Sequence, residues 1–234
     1  TSFGTVPLRL PELVLPLDPF LDQAEQDIMD QMATITQGVY EIDGTQYGLP
    51  VSLTAPIMRM DAAYFADRNV SLPESGWTFD EFAALATELA APEAVPPIYG
   101  FVPFNSGNAL QMLLAGRGVA LYNLEDSPRQ AFLDHPDTVA TVEWLVAMAE
   151  AGVIAPYQEV GAETMTGNSF ERYEMLEAGQ AALWDDLSIA GFANVPSGPQ
   201  YRLIQRPLPT TPQQLPVTRI EVSGSFISRQ AGDP

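Results

Sequence analysis

The chain has 234 residues, 46% of them hydrophobic, which is enough for one large domain or two modest ones with a real core. Its net charge is −20, from 30 acidic residues against 10 basic ones, and such a surface repels nucleic-acid phosphates and anionic lipids. The absence of cysteine excludes disulfides and zinc–thiolate sites, and the single histidine, His135, excludes a multi-histidine metal site. We therefore expect no cofactor, no metal and no nucleic-acid partner.

The first part of the chain predicts helices and short buried strands in alternation. Apolar residues at helical spacing predict an amphipathic helix from position 19 to about position 35. Asp43-Gly44 predicts a two-residue hairpin turn, because both positions of a type I′ turn need positive φ. Asp61 is expected to cap a short helix over 62–68, and Thr78 with Glu81 forms a capping box that predicts a helix from Phe79.

The later part of the chain continues this alternation. A buried strand is predicted over 98–104, and a helix follows at about 108–116. Pro136 in a first helical turn predicts a helix that ends at Gly152. Five apolar residues are expected on one face of it: Val139, Val142, Leu145, Val146 and Ala149. Short strands are predicted over 181–184 and 219–228, so the chain is of the α/β class.

The end of the strand over 181–184 is the first candidate site. Trp184, Asp185, Asp186 and Ser188 would place polar groups at the carboxyl edge of a sheet, where open α/β sheets bind ligands. Carboxylates accept hydrogen bonds from sugar hydroxyl groups, and an aromatic ring packs against the C–H face of a pyranose. The alternative is that Trp184 packs in the core and the two aspartates cap the next helix.

The loop with Asn105, Ser106 and Asn108 is the second candidate, because amide groups and the free N–H groups of a helix start can bind a polar ligand. Its alternative is an ordinary helix cap.

For catalysis, Asp185 and Asp186 are adjacent and would diverge on an extended backbone, whereas a glycosidase needs two facing carboxyl groups ~5–9 Å apart. The sequence also lacks a nucleophile elbow, a P-loop and a dinucleotide fingerprint, so we expect no enzyme activity.

The stretch from Asp43 to Phe82 resembles the extracellular solute-binding proteins of ABC importers, in the family that includes maltose-binding protein. The matching segments are DGTQYGLP at 43–50, RMDAAYFADRNV at 59–70 and Trp77 with DEF at 80–82. The resemblance continues through Ser169–Trp184 and Val222–Pro234 and covers nearly everything after about Leu13. One departure is clear: the two aromatic residues of the family pattern are Arg59 and Met60 here, and its asparagine is Asp61.

The resemblance implies a periplasmic-binding-protein-like fold of two lobes (type II), with one lobe largely complete and the other partial. Residues 1–50 would form part of the first lobe, residues 51–222 the second lobe, and residues 223–234 a strand that returns to the first. The chain is then expected to be a fragment that binds its ligand weakly or not at all. The expected ligand contacts are Trp184, Asp185, Asp186, Ser188, Asn105, Ser106, Asn108, Ser52 and Arg59.

The function that the resemblance implies is a non-enzymatic receptor. It would be extracellular or periplasmic, anchored to the membrane in the full-length protein, and monomeric. It would hold a mono- or oligosaccharide between its lobes and deliver it to an ABC transporter permease. The alternative is an acidic extracellular carbohydrate-active enzyme, or a carbohydrate-binding or sensor module.

Overall fold

The computed structural model describes residues 10–21, 38–54, 56–74, 76–103, 106–117, 119, 121–123, 130–155, 172, 174–187, 203–206 and 221–230. Their elements in chain order are α1 (Leu10–Leu13), α2 (Asp18–Leu21), β1 (Glu41–Ile42), β2 (Thr45–Gln46), β3 (Leu49–Thr54), β4 (Pro56–Asp61), α3 (Ala62–Asp67), α4 (Phe79–Leu89), β5 (Tyr99–Val102), α5 (Ser106–Gly116), β6 (Tyr122–Asn123), β7 (Gln130–Ala131), α6 (Pro136–Glu150), β8 (Ala181–Leu187), β9 (Leu203–Arg206) and β10 (Glu221–Ser225). The chain divides into two compact units: unit 1 is Thr1–Ala55 with Arg219–Pro234, and unit 2 is Pro56–Thr218. Among the described helices, none has the length and apolarity that a membrane span requires.

Unit 1 contains the predicted hairpin. β1 and β2 pair in antiparallel fashion, and the two residues between them, Asp43 and Gly44, have φ values of 52° and 76°. Positive φ at both positions is what a type I′ turn requires, so the prediction from Asp43-Gly44 is confirmed. Most of the helix predicted over 19–35 lies outside the described residues, and only its first turn is seen, in α2.

A two-stranded ribbon of β3 and β10 is the second feature of unit 1. The strands are antiparallel, with Val222 opposite Leu53 and Gly224 opposite Pro50. The register shifts between Ser223 and Gly224, and this shift marks a β-bulge. The last predicted strand, over 219–228, is thus confirmed as β10.

Unit 2 is built around a four-stranded sheet in the order β5-β8-β4-β9. β5 and β8 are parallel neighbours, whereas β4 is antiparallel to both β8 and β9. The predicted strand over 98–104 is confirmed as β5, and the helix predicted at 108–116 is α5, which begins two residues earlier. The two central strands, β8 and β4, carry the residues of the candidate site.

The core of unit 2 lies between this sheet and α4. Aromatic rings from both elements meet edge to face, with the centroids of Phe82 and Phe101 5.1 Å apart. The buried core residues include Met58, Met60, Phe79, Phe82, Phe101 and Leu183. A β-carbon at Gly100 would lie 1.8 Å from the backbone oxygen of Ala86, so β5 and α4 approach as closely as their backbones allow. This packing fixes the position of β5 and of its neighbour β8.

Both predicted helix caps of unit 2 are confirmed. The Asp61 carboxylate accepts hydrogen bonds from the backbone N–H groups of Ala63 and Tyr64, at 3.0 and 3.1 Å. The Thr78 hydroxyl accepts from the N–H of Glu81 at 3.2 Å, and the Glu81 carboxylate accepts from the N–H of Thr78 at 2.6 Å. Local hydrogen bonding therefore starts α3 and α4 where the sequence predicts.

The orientation of α6 corrects part of the face expected from its apolar residues: Leu145 is half-buried and packs against the core as predicted, but the valines do not. Val139, Val142 and Val146 are 43%, 41% and 52% exposed, whereas Thr138 and Thr141 are buried. The reason is packing elsewhere on the helix, since the Trp144 ring meets Phe79 edge to face at 5.1 Å and so turns the threonine side inward. The predicted ends hold, because α6 begins at Pro136 and Gly152 has a φ of 69° beyond its last turn.

Candidate ligand-binding site

One edge of the unit 2 sheet gathers the polar candidates. Because β5 and β8 are parallel neighbours, their carboxyl ends lie at the same edge. Pro56, the first residue of β4, lies opposite Leu187, so the chain also enters unit 2 at this edge. Ser106 and Asn108 lie in the first turn of α5, which follows β5. Asn105 and Ser188 lie outside the described residues.

The strand β8 is longer than predicted. The sequence predicts a strand that ends at Trp184, whereas β8 runs from Ala181 to Leu187. Asp185 and Asp186 therefore lie within the strand, and they are not placed there as caps of a following helix. Since side chains alternate along a strand, the two carboxylates project from opposite faces, as the sequence analysis expects for an extended backbone. Asp185 and Asp186 thus do not form the facing pair that a glycosidase needs.

Trp184 is 2% exposed and belongs to the core. Its ring packs in a second hydrophobic cluster with Val102, Ala155, Leu176 and Ala181. This placement agrees with the packing interpretation of Trp184. A ligand contact of the ring stays a prediction, and it would require the ring or its neighbours to move.

Arg59 and Asp186 form an ion pair between the two central strands. Arg59 lies opposite Trp184 in the β4–β8 ladder, and Asp186 lies two residues further along β8, so the three side chains share one face. The Nε atom of Arg59 is 3.0 Å from Oδ2 of Asp186, and the two side chains are 1% and 6% exposed. Each residue is a predicted ligand contact, and in the structure each is the charge partner of the other.

The hydrogen bonding of Arg59 is incomplete within the part of the chain that the structure describes. There, Nε and Nη2 are buried and have no well-aligned hydrogen-bond partner. The contact of Nε with Asp186 is therefore an attraction between charges at short distance. A signal in the sequence could have found this pair, because an arginine inside the apolar strand PIMRMD must be compensated by a carboxylate when it is buried.

A second buried arginine, Arg172, supports the neighbouring residue of β8. Its guanidinium donates a hydrogen bond to the backbone carbonyl of Asp185, and its side chain is 5% exposed. Arg172, which precedes the helical residues 174–177, is not among the residues predicted from the sequence. Two arginines thus contact the end of β8: Arg59 contacts the Asp186 carboxylate, and Arg172 contacts the backbone carbonyl of Asp185.

Ser52, a predicted ligand contact, and Asp61, beside Arg59, lie apart from this ion pair in their hydrogen bonding or in their unit. Ser52 lies in β3 of unit 1, where it is half-buried opposite Ser223. Asp61 is occupied as the cap of α3, as the sequence analysis favours. Burial raises the pKa of the Asp61 carboxyl above its ordinary value, and the N–H groups of Tyr64 and Ala63 act in the opposite direction. Of the predicted contacts that are described, the structure brings Arg59, Trp184 and Asp186 together.

The sequence of residues 11–202 matches a protein family described as bacterial extracellular solute-binding protein. The chain belongs to this family. The family resemblance that the motifs of residues 43–82 indicate is thereby confirmed. The description of this family is thus of proteins that bind a solute. No curated protein sequence matches the chain.

Solved structures of solute-binding proteins share the fold. The ABC substrate-binding protein Lmo0181 from Listeria monocytogenes, in complex with cycloalternan, has a TM-score of 0.76 at 16% identity, over 94% of this chain and 53% of that one. The solute-binding protein from Thermotoga lettingae TMO, bound with alpha-D-tagatose, has a TM-score of 0.72 at 14% identity, over 98% and 57%. UgpB from Mycobacterium tuberculosis, in complex with glycerophosphocholine, has a TM-score of 0.72 at 18% identity, over 96% and 55%. The predicted periplasmic-binding-protein-like fold is confirmed, and the chain spans about half the length of these proteins.

Proposed function

We propose that the chain is part of an extracellular receptor that captures a sugar and delivers it to the permease of an ABC importer. The family match over residues 11–202 carries this proposal. It is supported by two structural relatives whose ligands are the carbohydrates cycloalternan and alpha-D-tagatose. A third relative holds glycerophosphocholine, so a polar, hydroxyl-bearing ligand is the chemistry that the three share.

The ligand is proposed to bind at the sheet edge where β5 and β8 end. Asn105, Ser106, Asn108 and Ser188 would exchange hydrogen bonds with its hydroxyl groups there. Asp185 and Asp186 would accept from hydroxyl groups, and Trp184, Arg59 and Ser52 complete the proposed contacts. Units 1 and 2 are proposed to be the two lobes, and closure of the lobes on a hinge would bury the ligand through contacts that the open state lacks.

The proposed receptor is non-enzymatic and monomeric, and a membrane anchor in the full-length protein would keep it beside its permease. The divergent side chains of Asp185 and Asp186 favour binding over glycoside hydrolysis, because hydrolysis needs two carboxyl groups that face the same bond. An acidic carbohydrate-active enzyme is the alternative, and incubation with chromogenic glycosides tests it.

Calorimetric titration tests the proposal. The chain is titrated with mono- and oligosaccharides, with polyols and with glycerophosphocholine, at millimolar ligand so that the weak binding expected of it is detected. We expect saturable binding of a carbohydrate, weakened about tenfold by Asn105→Ala, which removes one or two hydrogen bonds. Thr87→Ala on the exposed side of α4 is the matched control.

Three results would each overturn one part of the proposal. Binding of glycerophosphocholine alone would reject the carbohydrate class and keep the receptor. Release of chromophore from chromogenic glycosides would reject the receptor in favour of the enzyme. Equal binding by the Asn105→Ala variant and the unchanged chain would show that the ligand does not bind at this sheet edge.

A further inference from the structure

Tyr40 adopts a backbone conformation that tyrosine rarely occupies. Its φ is 69°, in the left-handed region where the β-carbon of an L-residue is crowded. Such a conformation is unfavourable and persists only where the surrounding structure enforces it. The contacts of Tyr40 should therefore explain why it is held there.

The side chain of Tyr40 is buried against β10. Its hydroxyl donates a hydrogen bond to the backbone carbonyl of Val222. Its ring lies where the side chain of residue 224 would otherwise be, since a β-carbon on Gly224 would be 2.4 Å from Cε2 of Tyr40. The ring also meets Phe226 edge to face, with centroids 4.9 Å apart. Tyr40 thus contacts two alternate residues of β10, Val222 and Gly224, and also Phe226, which follows the last residue of the strand.

Phe226, just after the end of β10, makes a second contact with the segment that carries Tyr40. The Phe226 ring packs directly on Gly48, where a β-carbon would lie 2.3 Å from the ring. The turn that carries Tyr40 is itself braced, because the side-chain amide of Gln46 donates to the Val39 carbonyl at 2.8 Å. We call the set Tyr40, Gly48, Val222, Gly224 and Phe226 the Tyr40 clamp.

The clamp lies at the β-bulge of the β3–β10 ribbon, where the pairing of the two strands is irregular. Ser223 pairs with Ser52 and Gly224 pairs with Pro50, so Val51 is the extra residue of the bulge. Pro50 has no N–H group to give to the ladder. Without the bulge Gly224 would lie opposite Val51, and in this half of the ribbon the side chains of one strand would change face relative to the other. Backbone pairing alone therefore specifies the register poorly here.

Both connections of the chain between its units lead directly from this ribbon. β3 ends at Thr54 and unit 2 begins at Pro56, while unit 2 ends at Thr218 and β10 begins at Glu221. The register of the ribbon thus sets where each connection starts. A slip by one residue would displace one connection along the strand relative to the other.

We infer that Tyr40 is a positioning residue that fixes the register of the β3–β10 ribbon and, with it, the start of the two connections between the units. The link of these connections to ligand capture rests on the proposed receptor function. The register itself does not, because every contact of the clamp lies within unit 1. No residue of the clamp is one of the proposed ligand contacts.

Hydrogen exchange tests the clamp without any solute. In Tyr40→Phe, which keeps the ring and removes the hydroxyl, the amides of β3 and β10 should exchange about fivefold faster, the factor expected for one hydrogen bond of ordinary net strength. The amides of β8 in unit 2 should be unchanged. Tyr47→Phe removes the same hydroxyl from the neighbouring tyrosine and is the matched control. Equal exchange in the two variants would overturn the inference.

Cross-linking tests the register itself, which a merely stabilising residue would not control. Since the chain has no cysteine, Leu49→Cys with Ser225→Cys introduces one pair that is opposed only in the observed register. Oxidation of this pair should be at least fivefold slower when Tyr40→Ala is added, and unaffected by Tyr47→Ala. Unchanged oxidation would overturn the inference. If chromophore is released from chromogenic glycosides and both results hold, the clamp stands and the proposed function falls.

Discussion

Asp186→Asn tests the electrostatic arrangement of β8 most directly. At the observed 3.0 Å, and with an effective dielectric constant of about 20, the attraction between the two charges is about 5–6 kcal/mol. Burial of both charges offsets much of this gain, so the net value of the pair is small. Removing the carboxylate, however, leaves the Arg59 charge buried and uncompensated. We expect the free energy of unfolding to fall by about 3–5 kcal/mol.

The measurement is urea unfolding of a set of variants, with the midpoint and the slope followed separately. Asp186→Asn and Arg59→Met should each be destabilised. The double variant should be more stable than Asp186→Asn alone, because no buried charge remains unpaired. Asp80→Asn removes an exposed carboxylate from the first turn of α4 and should change the free energy by only about 0.5 kcal/mol.

Two outcomes would refute this reasoning. If Asp186→Asn lowers the free energy of unfolding by less than about 1 kcal/mol, the pair contributes no more than a solvent-exposed ion pair does. Strict additivity of the two single changes in the double variant would show that the two residues do not interact. In either case Asp186 would be available to a ligand in the way that the sequence first suggests.

Three further predictions concern stability. Asp61→Asn keeps an equivalent cap for α3. Because burial raises the pKa of Asp61, the folded state binds this proton more tightly than the unfolded state, and the stability of the unchanged chain falls as pH rises through the raised pKa. The variant should therefore be the more stable form at about pH 7 and lose this advantage in acid, which thermal unfolding across pH measures. Thr78→Ala removes the capping box and should cost about 1 kcal/mol in urea unfolding, whereas Thr87→Ala should not. Gly100→Ala forces a methyl group against Ala86 and should cost about 1–3 kcal/mol or more, measured by the same method.

The sequence predicts best where a few neighbouring residues decide the structure. The turn at Asp43-Gly44 and the caps at Asp61 and Thr78 depend on hydrogen bonds and φ values within four residues. The structure confirms the turn and both caps. The face of α6 depends instead on what Trp144 contacts across the unit. Valine and threonine have similar shapes, so the helix can turn its threonines inward at little steric loss, and no local pattern reveals this.

The extent of β8 could not be predicted for a related reason. Aspartate is disfavoured in strands, so the sequence suggests that β8 ends before Asp185. Arg59 overrides this preference, because its charge on the adjacent strand compensates the Asp186 carboxylate. The compensating residue is far away in the sequence, and only the sheet order β8-β4 makes it a neighbour.

The departure from the family pattern at Arg59 therefore has a consequence one strand away. An arginine that replaces an aromatic residue in a central strand needs a buried carboxylate as its partner, and Asp186 supplies it. A role carried over from the family to either position alone would overlook this dependence. The two residues must be changed together to test a ligand contact, since a single change alters ligand contact and the charge balance of the core at once. Loss of binding in a single variant of this pair is thus not a measure of ligand contact.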